Sequence, residues 1–355
     1  MKFIIDFVDS TTQTDIDEYL TAQNLTVLRT FDAIGKIYLV EGSETPSGEN
    51  LIIENIQPDV DLNVTLTESV TIPVNEDNWW KIVSYAEETI TNETTQIDVK
   101  LNENLIDVYV ADSGIEATHP EFDGQTIENL FTITDGDFDD QVGHGTAIAS
   151  LITGVTCSMS RARIQNVKIY DPSNPLTLGS LLDALNAIQT DSNSKPDVQA
   201  VANFSWIIPF NEYVNTKIQS LIDSGIAVVV AAGNQGDPIQ DITPACIPDV
   251  FTVGSYDQEF VPADFSNYTA DVGADGGSVS AGALDLWAPG VGIRVASLNG
   301  EYKLAQGTSY SAAIVCGCIC FNSSDIARIY ADAYGEAINK ERASVLNFYT
   351  MAKMR

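Results

Sequence analysis

The chain is predicted to be an α/β protein in which helices flank a parallel sheet in three layers, with a small α+β unit ahead of it. Three observations predict this. From Leu105 onward, apolar runs of strand length at 105–111, 164–169, 198–205, 226–232 and 250–254 alternate with segments of helical period at 179–189 and 213–224. Such alternation of strand-like and helical segments predicts a parallel sheet with helices on both faces. Before that point the chain reads differently, as short β-like stretches around one helix.

The N-terminal unit begins with a β-like run at 2–8, in which Asp6 interrupts the apolar core that an export signal would need. The run therefore reads as a strand. A short polar helix is expected from Asp15 to Asn24, and further strands at 25–31 and 36–41, before a Ser/Glu/Pro/Gly-rich turn at 43–49. Val64 and Leu66, then Val70, Ile72 and Val74, alternate as half-buried strands do. A junction is expected near 70–78, just before Trp79-Trp80, dividing the chain into units 1–76 and 77–355. At the far end, Ile326, Ile329, Tyr330, Ala333, Tyr334 and Ala337 keep helical spacing and predict a surface helix packed on the body.

With 355 residues, 44% of them hydrophobic, the chain is long enough for one large core and one small one. No window approaches eighteen uninterrupted apolar residues, so no membrane span is expected. Fifty acids against seventeen bases give a formal charge of −33, which opposes binding to nucleic-acid phosphates. The five cysteines are an odd number and clustered, so they do not form a disulfide framework. Cys316, Cys318 and Cys320 stand two apart, a spacing that spreads residues around a helix, and they are expected to be small core residues.

The chemistry is concentrated at few positions. A serine hydroxyl becomes a nucleophile when a histidine takes its proton, and the histidine needs a carboxylate to fix its tautomer. Of the two histidines, His144 lies between glycines in Gly143-His144-Gly145-Thr146-Ala147, at the start of an apolar helix. Asp112 ends an apolar strand, where parallel sheets carry their functional groups. Ser309 follows Gly307-Thr308 at a predicted helix start, whose N–H groups favour a developing negative charge.

Asp112-Ser113-Gly114-Ile115 with His119-Pro120, Gly143-His144-Gly145-Thr146, Ala231-Ala232-Gly233-Asn234 and Gly307-Thr308-Ser309 resemble the signatures of the subtilase family, in that family's order. Leu286-Trp287-Ala288-Pro289-Gly290-Val291 resembles the family's segment before the serine motif, and the resemblance spans roughly residues 79–325. It implies a subtilisin-like fold and a serine endopeptidase acting on polypeptides. Asp112 would orient His144, His144 would serve as general base and then acid, and Ser309 would attack the scissile carbonyl. Asn234 would hold the oxyanion together with the Ser309 N–H. Asn203, Ser205, Trp206 and Ile207 would line the strand along which substrate pairs, and Ala231, Ala232 and Gly233 would also contact substrate. The chemistry requires no cofactor. His119 is a structural residue in this reading.

The chain also departs from the pattern. Ala313 stands where the family has a proline four residues after the serine, and Ile207 where the substrate strand has a glycine, which narrows the cleft near the first pocket. The N-terminal unit resembles, in order of elements, a pro-domain that inhibits the enzyme until processed; an ordinary accessory domain is the other reading. Asp135, Asp137, Asp139 and Asp140 offer hard oxygens at close spacing just before His144, a set suited to calcium or simply to a solvated acidic loop. Without a classical signal peptide, the expected location is intracellular, or aboard a virion or secretion assembly. Two rival functions remain: a catalytically silent structural relative within a larger assembly, and an esterase, though the Gly-x-Ser-x-Gly elbow is absent around Ser309.

Overall fold

The computed structural model describes residues 1–7, 11–30, 36–46, 53–59, 106–158, 160–269 and 284–322. The strands expected at 64–74, the unit junction and the helix expected over 326–337 lie outside these residues. In the N-terminal unit, β1 (Lys2–Phe7), α1 (Gln13–Ala22), β2 (Thr26–Thr30), β3 (Lys36–Glu41) and β4 (Ile53–Pro58) follow in order. The strands form an antiparallel sheet in the order β2-β3-β1-β4. Helix α1 starts where Thr12 and Asp15 cap each other reciprocally, satisfying two N-terminal N–H groups.

The two-residue period of β1 divides its side chains. Phe3, Ile5 and Phe7 pack with Ile16, Tyr19 and Leu20 of α1, closing the unit's own core. Ile4 points the other way and, with Ile37 and Leu39 of β3, joins a core belonging to the body. Each such side chain stabilises the contact by about 1.5–3 kcal/mol when fully buried. β4 is an addition to the expected strands, because Ile53-Glu54-Asn55-Ile56-Gln57-Pro58 alternates too weakly to signal one and ends in proline.

The body is built on a seven-stranded parallel sheet with strand order β13-β12-β10-β8-β5-β7-β6. Its members are β5 (Asp107–Asp112), β6 (Thr126–Thr132), β7 (Arg163–Lys168), β8 (Ala200–Phe204), β10 (Ala227–Ala231), β12 (Phe251–Tyr256) and β13 (Leu286–Pro289). A short ribbon pairs β9 (Ile208–Pro209) with β11 (Ile242–Thr243), and a hairpin joins β14 (Ile293–Ser297) to β15 (Glu301–Ala305). The edge strand β6 is likewise not evident in the sequence, since Thr126-Ile-Glu-Asn-Leu-Phe-Thr is half exposed and carries little apolar signal.

Helices α2 (His144–Thr153) and α5 (Thr308–Asn322) cover one face of the sheet, with Val108 and Val110 of β5 in their core. Helices α3 (Leu178–Asn193) and α4 (Glu212–Asp223) cover the other, over Tyr109 and Ala111. The three-layer α/β arrangement expected from the sequence is the one observed. All five cysteines are buried thiols. One detail is corrected: Cys316 and Cys320, one helical turn apart on α5, do share a face, and burial together with the neighbouring Cys320 pushes the Cys316 thiol up.

Between α3 and α4 lies Lys217, almost wholly buried, with its ammonium 2.5 Å from Gln189 Oε1 and 3.4 Å from Asn186 Oδ1. Burial pushes its amine down to about 8. A base depressed in the folded state binds fewer protons than in the unfolded chain between that value and its ordinary one of roughly 10.4. Its penalty is therefore fully present below pH 8 and relieved as pH rises. In urea titrations, Lys217→Met is expected to lack this gain: wild type should improve relative to the variant by up to about 3 kcal/mol between about pH 8 and 10.5. A difference that stays constant with pH would contradict the assignment.

Candidate active site

Asp112 is the last residue of β5, an interior strand of the sheet, and its carboxylate is only 1% exposed. It accepts the Ser113 N–H at 2.7 Å through Oδ1, and its two oxygens lie 2.8 and 2.9 Å from His144 Nδ1. A carboxylate only accepts, so Nδ1 carries the proton and a neutral imidazole keeps its lone pair on Nε2. The approach of α2 that makes this pair depends on Gly145. A Cβ there would collide with the Gly114 carbonyl oxygen and lie 3.2 Å from Asp112 Oδ1, so any larger residue would push the helix off the strand.

Ser309 is the second residue of α5, which packs beside α2, and the ring of the next residue, Tyr310, lies 5.8 Å from that of His144. The Ser309 hydroxyl donates to the Ser205 carbonyl at 3.0 Å, while the Ser205 hydroxyl lies 3.0 Å from the Ser309 carbonyl and 2.8 Å from Asn203 Oδ1. These reciprocal contacts fix the serine against the end of β8.

Asn234 stands in the turn after β10. Its Oδ1 accepts both the backbone N–H and the hydroxyl of Thr308, each at 2.9 Å. A backbone N–H can only donate, so this geometry fixes which end of the amide is oxygen. Nδ2, buried, is left without a hydrogen-bond partner among the described residues. Thr308 also accepts the Gly233 N–H through its hydroxyl at 3.0 Å. This anchoring role is not apparent from the sequence, although Thr308 is the middle residue of Gly307-Thr308-Ser309.

Ala231 and Ala232 are buried on opposite faces of the sheet, and Gly233 adopts φ +103°. Ile207 is buried, with its Cδ1 3.0 Å from where a Cβ on Gly233 would lie. The Trp206 indole belongs to the helix-side core, 5.4 Å from Phe204, so this residue meets the cleft by its backbone. His119 accepts the Glu121 N–H at Nδ1 and donates from Nε2 to the Glu301 carbonyl, in line with a structural role. Glu121 lies in no motif that would single it out. Burial raises its carboxyl, but donors on Thr156, Cys157 and Tyr302 outweigh that and hold it below the usual range.

The acidic loop does not act as one group. Asp140 turns inward: Oδ1 accepts from the Ser113 hydroxyl and from the Val142 and Gly143 N–H groups, and Oδ2 from the Thr146 N–H and hydroxyl. Asp137 Oδ2 lies 3.3 Å from the ammonium of Lys168, and the Asp139 carbonyl accepts from the same ammonium at 2.8 Å. Asp135 is exposed. Among the described residues no three such side chains converge as a metal site would require.

Comparison with known proteins fits this geometry. A model described as the subtilase family, Peptidase_S8, matches residues 104–332. Subtilisin-like protease 1 of Pseudogymnoascus destructans is 33% identical over 213 residues, covering 59% of this chain and 50% of that protein. The chain thus spans about half the length of the curated relatives it matches. A cold-adapted subtilisin-like serine proteinase of known structure is 26% identical, with a TM-score of 0.54 over 68% of this chain and 81% of its own. An epidermin leader peptide processing serine protease from Staphylococcus aureus, 16% identical in a mutant form, shares the fold at a TM-score of 0.70 over 94% of this chain and 92% of its own.

The inward turn of Asp140 can be separated from the solvated part of the loop by mutation. Asp140→Ala leaves several buried donors without an acceptor and uncaps α2, and is expected to lower unfolding free energy by about 2 kcal/mol or more. Asp135→Ala is expected to change it by no more than about 0.5 kcal/mol. Equal losses in denaturant titrations would contradict the division drawn between the two aspartates.

Proposed function

Because the chain belongs to the subtilase family, we propose that it is a serine endopeptidase in which Asp112, His144 and Ser309 form the triad and Asn234 stabilises the oxyanion. His144 Nε2 takes the Ser309 proton as Oγ attacks the scissile carbonyl. The resulting imidazolium is held by Asp112, and His144 then returns the proton to the leaving amine. Water deacylates the serine by the same route in reverse. The developing oxyanion takes the Asn234 Nδ2 donor and the Ser309 N–H at the start of α5.

The observation that carries the reading is the Asn234 amide. Its oxygen is tied twice to Thr308, and its buried nitrogen has no acceptor among the described residues. A buried unsatisfied donor costs about 1–3 kcal/mol, which a merely structural relative has no reason to retain. A transition state that brings an oxyanion to that nitrogen gives the cost a purpose.

We propose further that the N-terminal unit is an intramolecular inhibitor of this site. Three contacts support a specific dock on α3. Ile4, Ile37 and Leu39 share its core, Arg29 pairs with Asp183, and Asp59 Oδ1 accepts the Gly179 N–H at 2.8 Å in the helix's first turn, where a carboxylate also opposes the helix dipole. Among the described residues no helix is long and apolar enough to cross a membrane.

A fluorophosphonate probe, with intact mass recorded before and after, tests both proposals. Wild type is expected to be labelled and Ser309→Ala not, with labelling faster once the N-terminal unit is cleaved away. Asn234→Ala is expected to lower kcat by about 10²–10³-fold, a range measured on the equivalent donor of subtilisin itself. If folded protein freed of the N-terminal unit resists the probe, the catalytically silent reading replaces this one.

A further inference from the structure

We infer that Ile207 fills the space meant for the side chain beside the scissile carbonyl, so that the site accepts glycine or alanine there and rejects larger residues. The inference rests on the endopeptidase reading and adds the class of substrate.

With the attacked carbon at Ser309 Oγ and its oxygen at Asn234 Nδ2, the position of the substrate residue follows from its neighbours. Ser309 Oγ donates to the Ser205 carbonyl, so one boundary is the segment that continues β8 through residues 205–207. Asn234 follows Gly233, so the other boundary is the segment that continues β10 through residues 231–233. β8 and β10 are paired neighbours in the sheet, so on this reading their continuations bound the substrate residue as the two walls of one slot.

The second wall is built from Ala231, Ala232 and Gly233, which take little room. The first wall fills the slot instead. A Cβ placed on Gly233 would lie 3.0 Å from Ile207 Cδ1, so the isoleucine side chain already reaches across to the facing wall. The same Cβ would collide with Asn267 Nδ2 and lie 2.9 Å from Gln235 Oε1, which on the same reading form the floor.

Neither floor nor plug is loosely held. Asn267 Nδ2 donates to the Ala232 carbonyl at 2.9 Å and to Gln235 Oε1 at 3.2 Å, and its Oδ1 accepts the N–H groups of Gln235 and Asp237, each at 3.0 Å. Immediately after Ile207, Ile208 and Pro209 are held in the ribbon with Ile242 and Thr243, which fixes the backbone beside the plug. Isoleucine is β-branched and stiff at χ1, so it does not fold aside as a leucine or methionine would. A substrate methyl displaces little; a phenyl ring would have to displace the isoleucine.

Matched peptides differing only at the residue before the cut (Gly, Ala, Leu or Phe) decide the matter, assayed on full-length wild type, Ile207→Ala and Ile207→Gly with sites counted by fluorophosphonate labelling. Wild type is expected to favour alanine over phenylalanine in kcat/KM by about 100-fold or more, since a single misplaced methylene is worth roughly 10–200-fold. Ile207→Gly is expected to shrink that ratio at least tenfold, with Ile207→Ala between. Near-equal cleavage after alanine and phenylalanine by labelled wild type, or an unchanged ratio in both variants, would overturn the inference while leaving the endopeptidase intact. Absence of labelling in folded protein freed of the N-terminal unit would instead overturn the endopeptidase. The plug is then judged by calorimetry on folded Ser309→Ala freed of its N-terminal unit, with peptides ending in alanine or phenylalanine. Preference for alanine, reversed by adding Ile207→Gly, sustains it, and equal or absent binding sinks it.

Discussion

Burying the carboxylate of Asp112 at the end of the interior strand β5 sets a demand that the surrounding structure answers. An isolated ionised carboxylate in a protein interior is unfavourable by several kcal/mol unless donors surround it. Here they arrive from two directions: the Ser113 N–H from its own chain and His144 Nδ1 from α2. The second donor requires α2 to lie against the strand end, which Gly145 permits and Asp140 secures by capping the helix and holding the Ser113 hydroxyl. One aspartate thus fixes the imidazole and a second fixes the element that carries it. Removing either leaves buried polar groups without partners, so the arrangement holds together or fails as a unit.

That dependence explains what is legible in the sequence. Residues that require a special backbone or a fixed partner appear as short motifs, which is why Asp112, His144, Asn234 and Ser309 stand out from the sequence alone. The strands covered on both faces, β5, β8 and β10, appear as apolar runs. The edge strands signal less: β6 is half exposed, and β4 alternates weakly and ends in proline. In the sequence Asp140 is one of four acids in a loop, because spacing alone does not tell which carboxylate turns inward. Glu121 and Thr308 are hidden for a related reason: their partners lie 35 to 181 and 74 to 75 residues away in the chain. Ile207 is conspicuous only against a family pattern, since an isoleucine after a strand is ordinary by periodicity.

The charge balance has its own division of labour. With seventeen bases among 355 residues, a random placement would leave most of them on the surface. Several instead hold interior acids. Lys168 is fully buried with Asp171 at 3.0 Å and the Asp139 carbonyl at 2.8 Å. Asp107, buried at the start of β5, lies between Arg163 at 2.5 Å and Lys195 at 3.1 Å, and Lys195 also reaches Asp191 at 2.8 Å. The pairs at the two ends of the central strands act as rivets for neighbouring strands and helices, while the excess acids remain solvated.

These two populations respond differently to salt. Repulsion among exposed carboxylates falls once ions screen distances beyond about 10 Å, at ionic strengths near 0.1 M. The buried pairs are shielded from that screening by the protein around them. Added salt should therefore relieve the self-repulsion of a body carrying −33 without loosening the contacts of Lys168 or Asp107. The net charge thus describes the surface, whereas the Asp112–His144 pair depends on the few charges buried near it, so a strongly acidic chain can still hold a buried histidine beside an aspartate.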